Sequence, residues 1–198
     1  EIELDKPISE TVFTVLDIEA TGGNPTTEKI IEVAMFQVRG GKVLDFYQVL
    51  INPQKKIPLF ISALTGITDE MLADKPTFQE VGEELLSFIG ETVVVAHNAQ
   101  FDMGFLRAEC GNNHFGTVEN GSICTRKLSR RVFPWLPGFN LDTVARFLGI
   151  EIRDRHRAYG DALATCGILN TSIDYLVENG INSLGELYSL AGGKINLP

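Results

Sequence analysis

The tetrapeptide Arg39-Gly40-Gly41-Lys42 constrains this chain more than any other stretch. It separates two apolar, β-branched runs, residues 29–38 and 43–51, and so short a link joins them only as an antiparallel hairpin. A third run of the same character, residues 11–18, reads as a buried strand. The pattern then changes. Thr77-Phe-Gln-Glu80 is a capping box, and it opens a helix that sets Phe78, Val81, Leu85, Phe88 and Ile89 on one face. Residues 92–96 form a short buried strand, followed by a helix over about 100–109 that ends before Gly111. A polar loop over 111–121 leads to a last short strand at 122–125. Asn140 caps a helix carrying Leu141, Val144, Ala145 and Leu148, stopped by Gly149. A longer helix starts near Ala158, buries Ala162, Cys166, Leu169, Ile173, Leu176 and Val177, and ends at Asn179-Gly180. The expected fold is α/β: a mixed five-stranded sheet, three antiparallel strands and then an α/β half, flanked by helices.

A length of 198 residues suits one domain with a substantial core. Residues 1–180 are expected to form it, and 181–198 to hold a C-terminal helix and a linker-like tail, Ala191-Gly-Gly-Lys-Ile-Asn-Leu-Pro198, that leads toward a further domain. No apolar run approaches the roughly 18 residues of a membrane helix. The acidic N-terminus lacks a secretory pattern, and Cys110, Cys124 and Cys166 are odd in number, far apart and without a C-x-x-C. A reducing, cytoplasmic setting without disulfides or a zinc site follows as the expectation. The net charge of −9 argues against binding that rests on phosphate attraction alone. The charge is uneven, however: between residues 126 and 157, eight basic side chains stand against three acids.

Three clusters bear chemistry. Asp17-Ile18-Glu19 closes the first strand, and side chains two apart on a strand share a face. His97-Asn98-Ala99-Gln100-Phe101-Asp102 runs from a strand into a helix, where an acid in the first turn also suits the helix dipole. His156-Arg157-Ala158-Tyr159-Gly160-Asp161 opens the long helix and sets Asp161 near its sheet-facing side, costly for a carboxylate unless it is paired or bound to metal. If Asp17, Glu19, Asp102 and Asp161 converge, their repulsion raises their pKa values unless divalent cations neutralise it. Hard oxygen donors select Mg²⁺ or Mn²⁺, and two such ions are the apparatus of in-line phosphoryl chemistry. A histidine titrating near neutrality can take a proton from water, and His97 and His156 each stand five residues before an Asp, so spacing leaves the choice open.

The three motifs, in this order, resemble the DEDD family of 3′→5′ exonucleases in its histidine subtype, typified by proofreading epsilon subunits of bacterial DNA polymerase III. The likeness spans about residues 11–177 and includes Ala63-Leu64-Thr65-Gly66-Ile67-Thr68, similar to the family's substrate-side loop. It implies a ribonuclease H-like fold, two divalent cations (Mg²⁺ or Mn²⁺) held by Asp17, Glu19, Asp102 and Asp161, and His156 as general base. Thr21, Gly22, Leu64, His97, Asn98 and Phe101 would meet the substrate. Arg157 stands where the tyrosine subtype would carry Tyr. The implied activity is hydrolysis of single-stranded or frayed DNA 3′ ends to nucleoside 5′-monophosphates in proofreading or repair, with a tethered domain or polymerase partner supplying the end. RNA trimming is the alternative within the class, and an inactive nucleic-acid or partner-binding module the alternative outside it. The resemblance extends to DEDD domains fused to a second nuclease domain of the GIY-YIG type.

Overall fold

The computed structural model describes residues 3–192, so the linker-like stretch 193–198 lies outside the described residues. Five strands form one sheet: β1 (Phe13–Ala20), β2 (Ile30–Arg39), β3 (Lys42–Leu50), β4 (Val93–Ala96) and β5 (Ser122–Cys124), in the order β3-β2-β1-β4-β5. β1, β2 and β3 pair antiparallel, and β4 and β5 join parallel. The expected mixed sheet is therefore present. Gly40 and Gly41 both take positive φ (54° and 76°), the backbone a two-residue hairpin requires.

Among the described residues eight α-helices surround the sheet: α1 (Leu59–Thr65), α2 (Asp69–Leu72), α3 (Phe78–Ile89), α4 (Ala99–Asn112), α5 (Thr125–Val132), α6 (Leu141–Phe147), α7 (Ala158–Glu178) and α8 (Leu184–Ala191). The alternation along β1 divides the core into two layers. Leu16, Ile18 and Ala20 pack with α3 and α4, and Phe13 and Val15 pack with α5, α7 and α8. Asp17 and Glu19 therefore face the α7 side.

Several sequence expectations need correction. α4 does not stop before Gly111 but runs to Asn112, because the buried Glu109 carboxylate ties its last turn to β2, accepting from Lys29 Nζ (3.3 Å), the Ile30 N–H (3.2 Å) and Asn113 Nδ2 (3.3 Å). Val177 lies outside the buried stripe and is exposed. α1, α2 and α5 were not expected. α1 follows Pro58 and ends at Gly66 in the left-handed region, the usual punctuation of a short helix. α8 is stapled by a capping box in which Ser183 and Glu186 bond reciprocally, and it buries Leu184, Leu187, Tyr188 and Ala191 in the same layer as α7. The three cysteines are free and buried. Among the described residues no helix is long and apolar enough to cross a membrane.

Candidate active site

In a sheet with parallel strands, ligands gather outside the carboxyl ends of those strands, where connections diverge. The ends of β1 and β4 do so here. They border an open cleft of about 240 Å³ lined by Asp17, Glu19, His97, Asn98, Phe101, Asp102, Arg126, Asn140, Arg155 and Asp161, with Ile18 and Leu141. A larger cavity, about 410 Å³, lies near the other end of α7, against the β2–β3 hairpin, and contains none of the clustered carboxylates.

Each acid reaches the cleft by a different element. Asp17 and Glu19 come from central strand β1, whose pairing with β2 shifts register just after Glu19 and turns the chain into Thr21-Gly22. Asp102 comes from the first turn of α4, and Asp161 from the first turn of α7. One carboxylate oxygen from each of Asp17, Glu19 and Asp161 lies within 4.8 Å of the others. Asp102 is buried and close enough to Asp17 to raise its pKa.

The electrostatics are those of an overcrowded anionic site. Burial, then the charges of Asp102, Glu19 and Asp161, push Asp17 well above the usual carboxylate range. Glu19 rises to about 8, through burial and then the charges of Asp161 and Glu32, the latter its cross-strand partner in β2. Burial lifts Asp102 to about 7 and Asp161 to about 6, with Arg155 holding Asp161 down. Asp161 Oδ2 accepts a hydrogen bond from Arg155, while Asp161 Oδ1 is buried with no partner. An orphaned carboxylate oxygen beside two more carboxylates is a donor set suited to a hard divalent cation, so the residues fit such an ion.

The two histidines stand in different surroundings. His97 is buried, and both ring nitrogens are engaged: Nε2 donates to the Phe139 carbonyl (3.0 Å), so Nδ1 of the neutral ring accepts from Thr125 Oγ (2.9 Å). Burial drops its pKa to about 4. His156 is half-buried, with φ +63° in the 151–157 loop, outside the lining of the cleft. Its Nδ1 accepts from Arg155 (3.2 Å), and burial and then the Arg155 charge lower its pKa.

The remaining candidates divide. Asn98 and Phe101 line the cleft. Thr21 is 1 % exposed and its hydroxyl is spent, donating to Glu28 (2.5 Å) and accepting from the Lys29 N–H (2.9 Å). Gly22 packs so near Glu28 that a Cβ there would meet its Cγ at 2.9 Å. Leu64, on α1, is exposed and outside the lining. Sequence reasoning missed Arg155, Arg126 and Asn140 as cleft residues. Arg155 was adjacent to a motif histidine, the one signal that pointed to it.

A family model for exonucleases (RNase_T) matches residues 14–169. This chain belongs to the exonuclease family. The exonuclease domain is 38 % identical over 181 residues to a PolC-type DNA polymerase III of Caldanaerobacter subterraneus, covering 91 % of this chain and 13 % of that protein. It is 37 % identical over 190 residues to a Mycobacterium tuberculosis protein named as a bifunctional exonuclease/endonuclease, covering 92 % of this chain and 30 % of that one. The chain thus spans a minor part of these relatives. Among solved structures, exonuclease X in complex with 5′ overhanging duplex DNA superposes with a TM-score of 0.72 at 26 % identity, covering 91 % of this chain and 99 % of that one. E. coli exonuclease I in complex with a dT13 oligonucleotide superposes at 0.77 with 17 % identity, over 86 % of this chain and 43 % of that one, a likeness of fold. The fold is the expected ribonuclease H-like one.

Proposed function

We propose that this domain is a divalent-metal-dependent 3′→5′ exonuclease of the histidine subtype that removes nucleoside 5′-monophosphates from single-stranded or frayed DNA ends. The observation that carries the reading is the convergence of Asp17, Glu19 and Asp161, with Asp102 beside them, in an open cleft of a chain that belongs to the exonuclease family. Those four carboxylates would hold Mg²⁺ or Mn²⁺, which supply Lewis-acid activation of water and charge neutralisation at phosphate. Asn98 and Phe101 border the cleft where a terminal nucleotide would sit. His156 is the general base: its lowered pKa keeps it neutral and able to accept a proton at physiological pH, whereas both nitrogens of His97 are committed to the scaffold.

The PolC-type relatives favour DNA and a proofreading role in company with a polymerase, and exonuclease X in complex with 5′ overhanging duplex DNA likewise favours DNA. The test uses single-stranded DNA and RNA labelled at either end, with Mn²⁺. Mononucleotides released from the 3′ end of DNA, and abolished by EDTA, are expected. Release from the 5′ end or internal cuts would overturn the reading, and preference for RNA would move the substrate to the alternative.

A further inference from the structure

Three of the eight cations in the expected basic region are engaged in ion pairs. Arg153 pairs with Glu151, Arg155 with Asp142 and Asp161, and Arg157 with Glu32. Four of the others lie on α5. Its outward face is Arg126, Lys127, Arg130 and Arg131, all exposed, while Leu128, Ser129 and Val132 turn into the core. The helix holds no acid, and none of these four cations forms an ion pair among the described residues. Spacing of four places Arg126 and Arg130 in one row and Lys127 and Arg131 in a second, each pair separated by about 6 Å of helix rise. In a chain of net charge −9, this is a local, single-signed stripe.

The stripe has a defined start and end. It starts at the cleft, which Arg126 lines, and the Arg126 N–H donates to the His97 carbonyl (3.1 Å). Midway, the Arg130 guanidinium lies 5.4 Å from the centre of the Phe139 ring, whose own carbonyl holds His97 Nε2. Beyond the helix the chain turns through buried Phe133 to Trp135, which is 66 % exposed and rests edge-on against Phe133 (5.9 Å) and Tyr175 (6.5 Å). A row of cations ending in a propped, exposed indole has the chemistry of a single-strand track, with charge for the phosphates and a π-face for a base.

We propose that the strand leading into the cleft runs along α5, its phosphates on the Arg126–Arg130 row and one base several nucleotides from the 3′ end stacked on Trp135. This rests on the exonuclease reading above and adds to it the path of the substrate. A polyanion is the occupant that the charge selects, since an apolar protein partner would have to bury four unpaired cations.

Trp135 is the sole tryptophan of the chain, so its fluorescence reports on the far end of the track directly. With Asp17→Asn suppressing cleavage, single-stranded DNA decamers are expected to quench it and a dinucleotide to leave it unchanged. On the otherwise unaltered enzyme, Trp135→Ala raises KM for the decamer roughly fivefold to hundredfold, the usual worth of a stacked base, with kcat and the dinucleotide KM unchanged. Arg130→Ala lowers the slope of log affinity against log salt by about 1, and Arg130→Lys restores it. Circular dichroism confirms that these surface variants fold. Equal quenching by both lengths, or an unchanged decamer KM in Trp135→Ala and Arg130→Ala alike, would overturn the track while leaving the exonuclease reading standing. Failure of the unaltered enzyme to hydrolyse either DNA would instead sink that underlying reading.

Discussion

Arg155 donates to one carboxylate oxygen of Asp161 while the other oxygen of the same carboxylate is buried and unpartnered. Arg155 thus provides one positive charge at the mouth of a site containing four acids, half the charge of a single divalent cation. Asp161 is left partly compensated. The consequences are measurable.

Removing one acid should trade activity for stability. Asp17→Asn relieves the repulsion among Asp17, Glu19, Asp102 and Asp161, so the metal-free protein should melt higher than the unaltered one at pH 8. Nuclease activity should fall by at least about 10³-fold, because a ligand oxygen and its charge are lost together. Parallel melting curves and hydrolysis assays check both halves, and undiminished hydrolysis would remove Asp17 from the catalytic set.

The pH dependence of stability has a definite sign. Glu19 moves from an ordinary 4.5 to about 8 in the fold, and Asp102 and Asp161 from 3.8 to about 7 and about 6. A raised carboxylate pKa means that the folded state binds more protons than the unfolded one. The stabilisation is therefore complete below about pH 4 and is lost as pH rises toward 8. For these groups the metal-free protein should lose thermal stability between pH 5 and 8, and Mg²⁺ or Mn²⁺ should flatten that slope by binding the ionised acids. A slope that is unchanged by either cation would refute a metal site here.

The histidines should separate cleanly. His156→Ala should cost about 10²–10⁴-fold in rate with little change in melting temperature, the signature of a lost general base on a half-buried loop. His97→Ala should destabilise by on the order of 1–3 kcal/mol, since it strands Thr125 and the Phe139 carbonyl, and should lower the rate less at a temperature where it is folded. Rates and melting curves on the two variants decide, and the opposite pattern would reassign the base.

Arg155→Ala should move the acid limb of the pH–rate profile upward. Burial and then the Arg155 charge hold the His156 pKa down, so removing Arg155 lets it rise and requires a higher pH for the neutral, proton-accepting ring. The same variant should melt lower without metal and gain more from Mn²⁺, as Asp161 loses its one cation.

Much of this site was legible because its acids occur in contiguous motifs at element junctions. Asp17 and Glu19 are two apart on a strand, and Asp102 and Asp161 each sit in a first helical turn, so local spacing located them. Pairings between distant segments were invisible. Nothing near Arg157 announces that it meets Glu32, 125 residues earlier, or that Arg155 spans Asp142 and Asp161. α5 escaped notice because it is only about two turns long and Leu128 and Val132 alone mark its buried face amid four cations, and packing against α7 and α8 holds it. Spacing also left the two histidines equivalent; the order of the family's motifs favoured His156, and the tertiary partners of His97 supply a physical reason.

Glu32→Ala should destabilise the fold by roughly 3 kcal/mol, the low end for breaking a buried pair, because Arg157 is partly exposed. Chemical denaturation measures it, and a loss below about 1 kcal/mol would show the pair to be dispensable.

Glu32 is wholly buried in β2, and its carboxylate accepts from Gln48 Nε2 (3.0 Å), Arg157 Nε (3.0 Å) and Nη2 (2.8 Å), and the Ala158 N–H (3.0 Å). The first turn of α7 is therefore capped by a side chain from the opposite half of the sequence. An emerging polypeptide can complete its hairpin sheet well before residue 158 exists, yet Asp161 has no fixed position until that late helix docks on Glu32. Closing so wide a loop comes late among folding events. Nuclease competence would then switch on in one step with the final assembly of the domain, so a nascent or half-folded chain would hold no partial cutting activity against the nucleic acid around it.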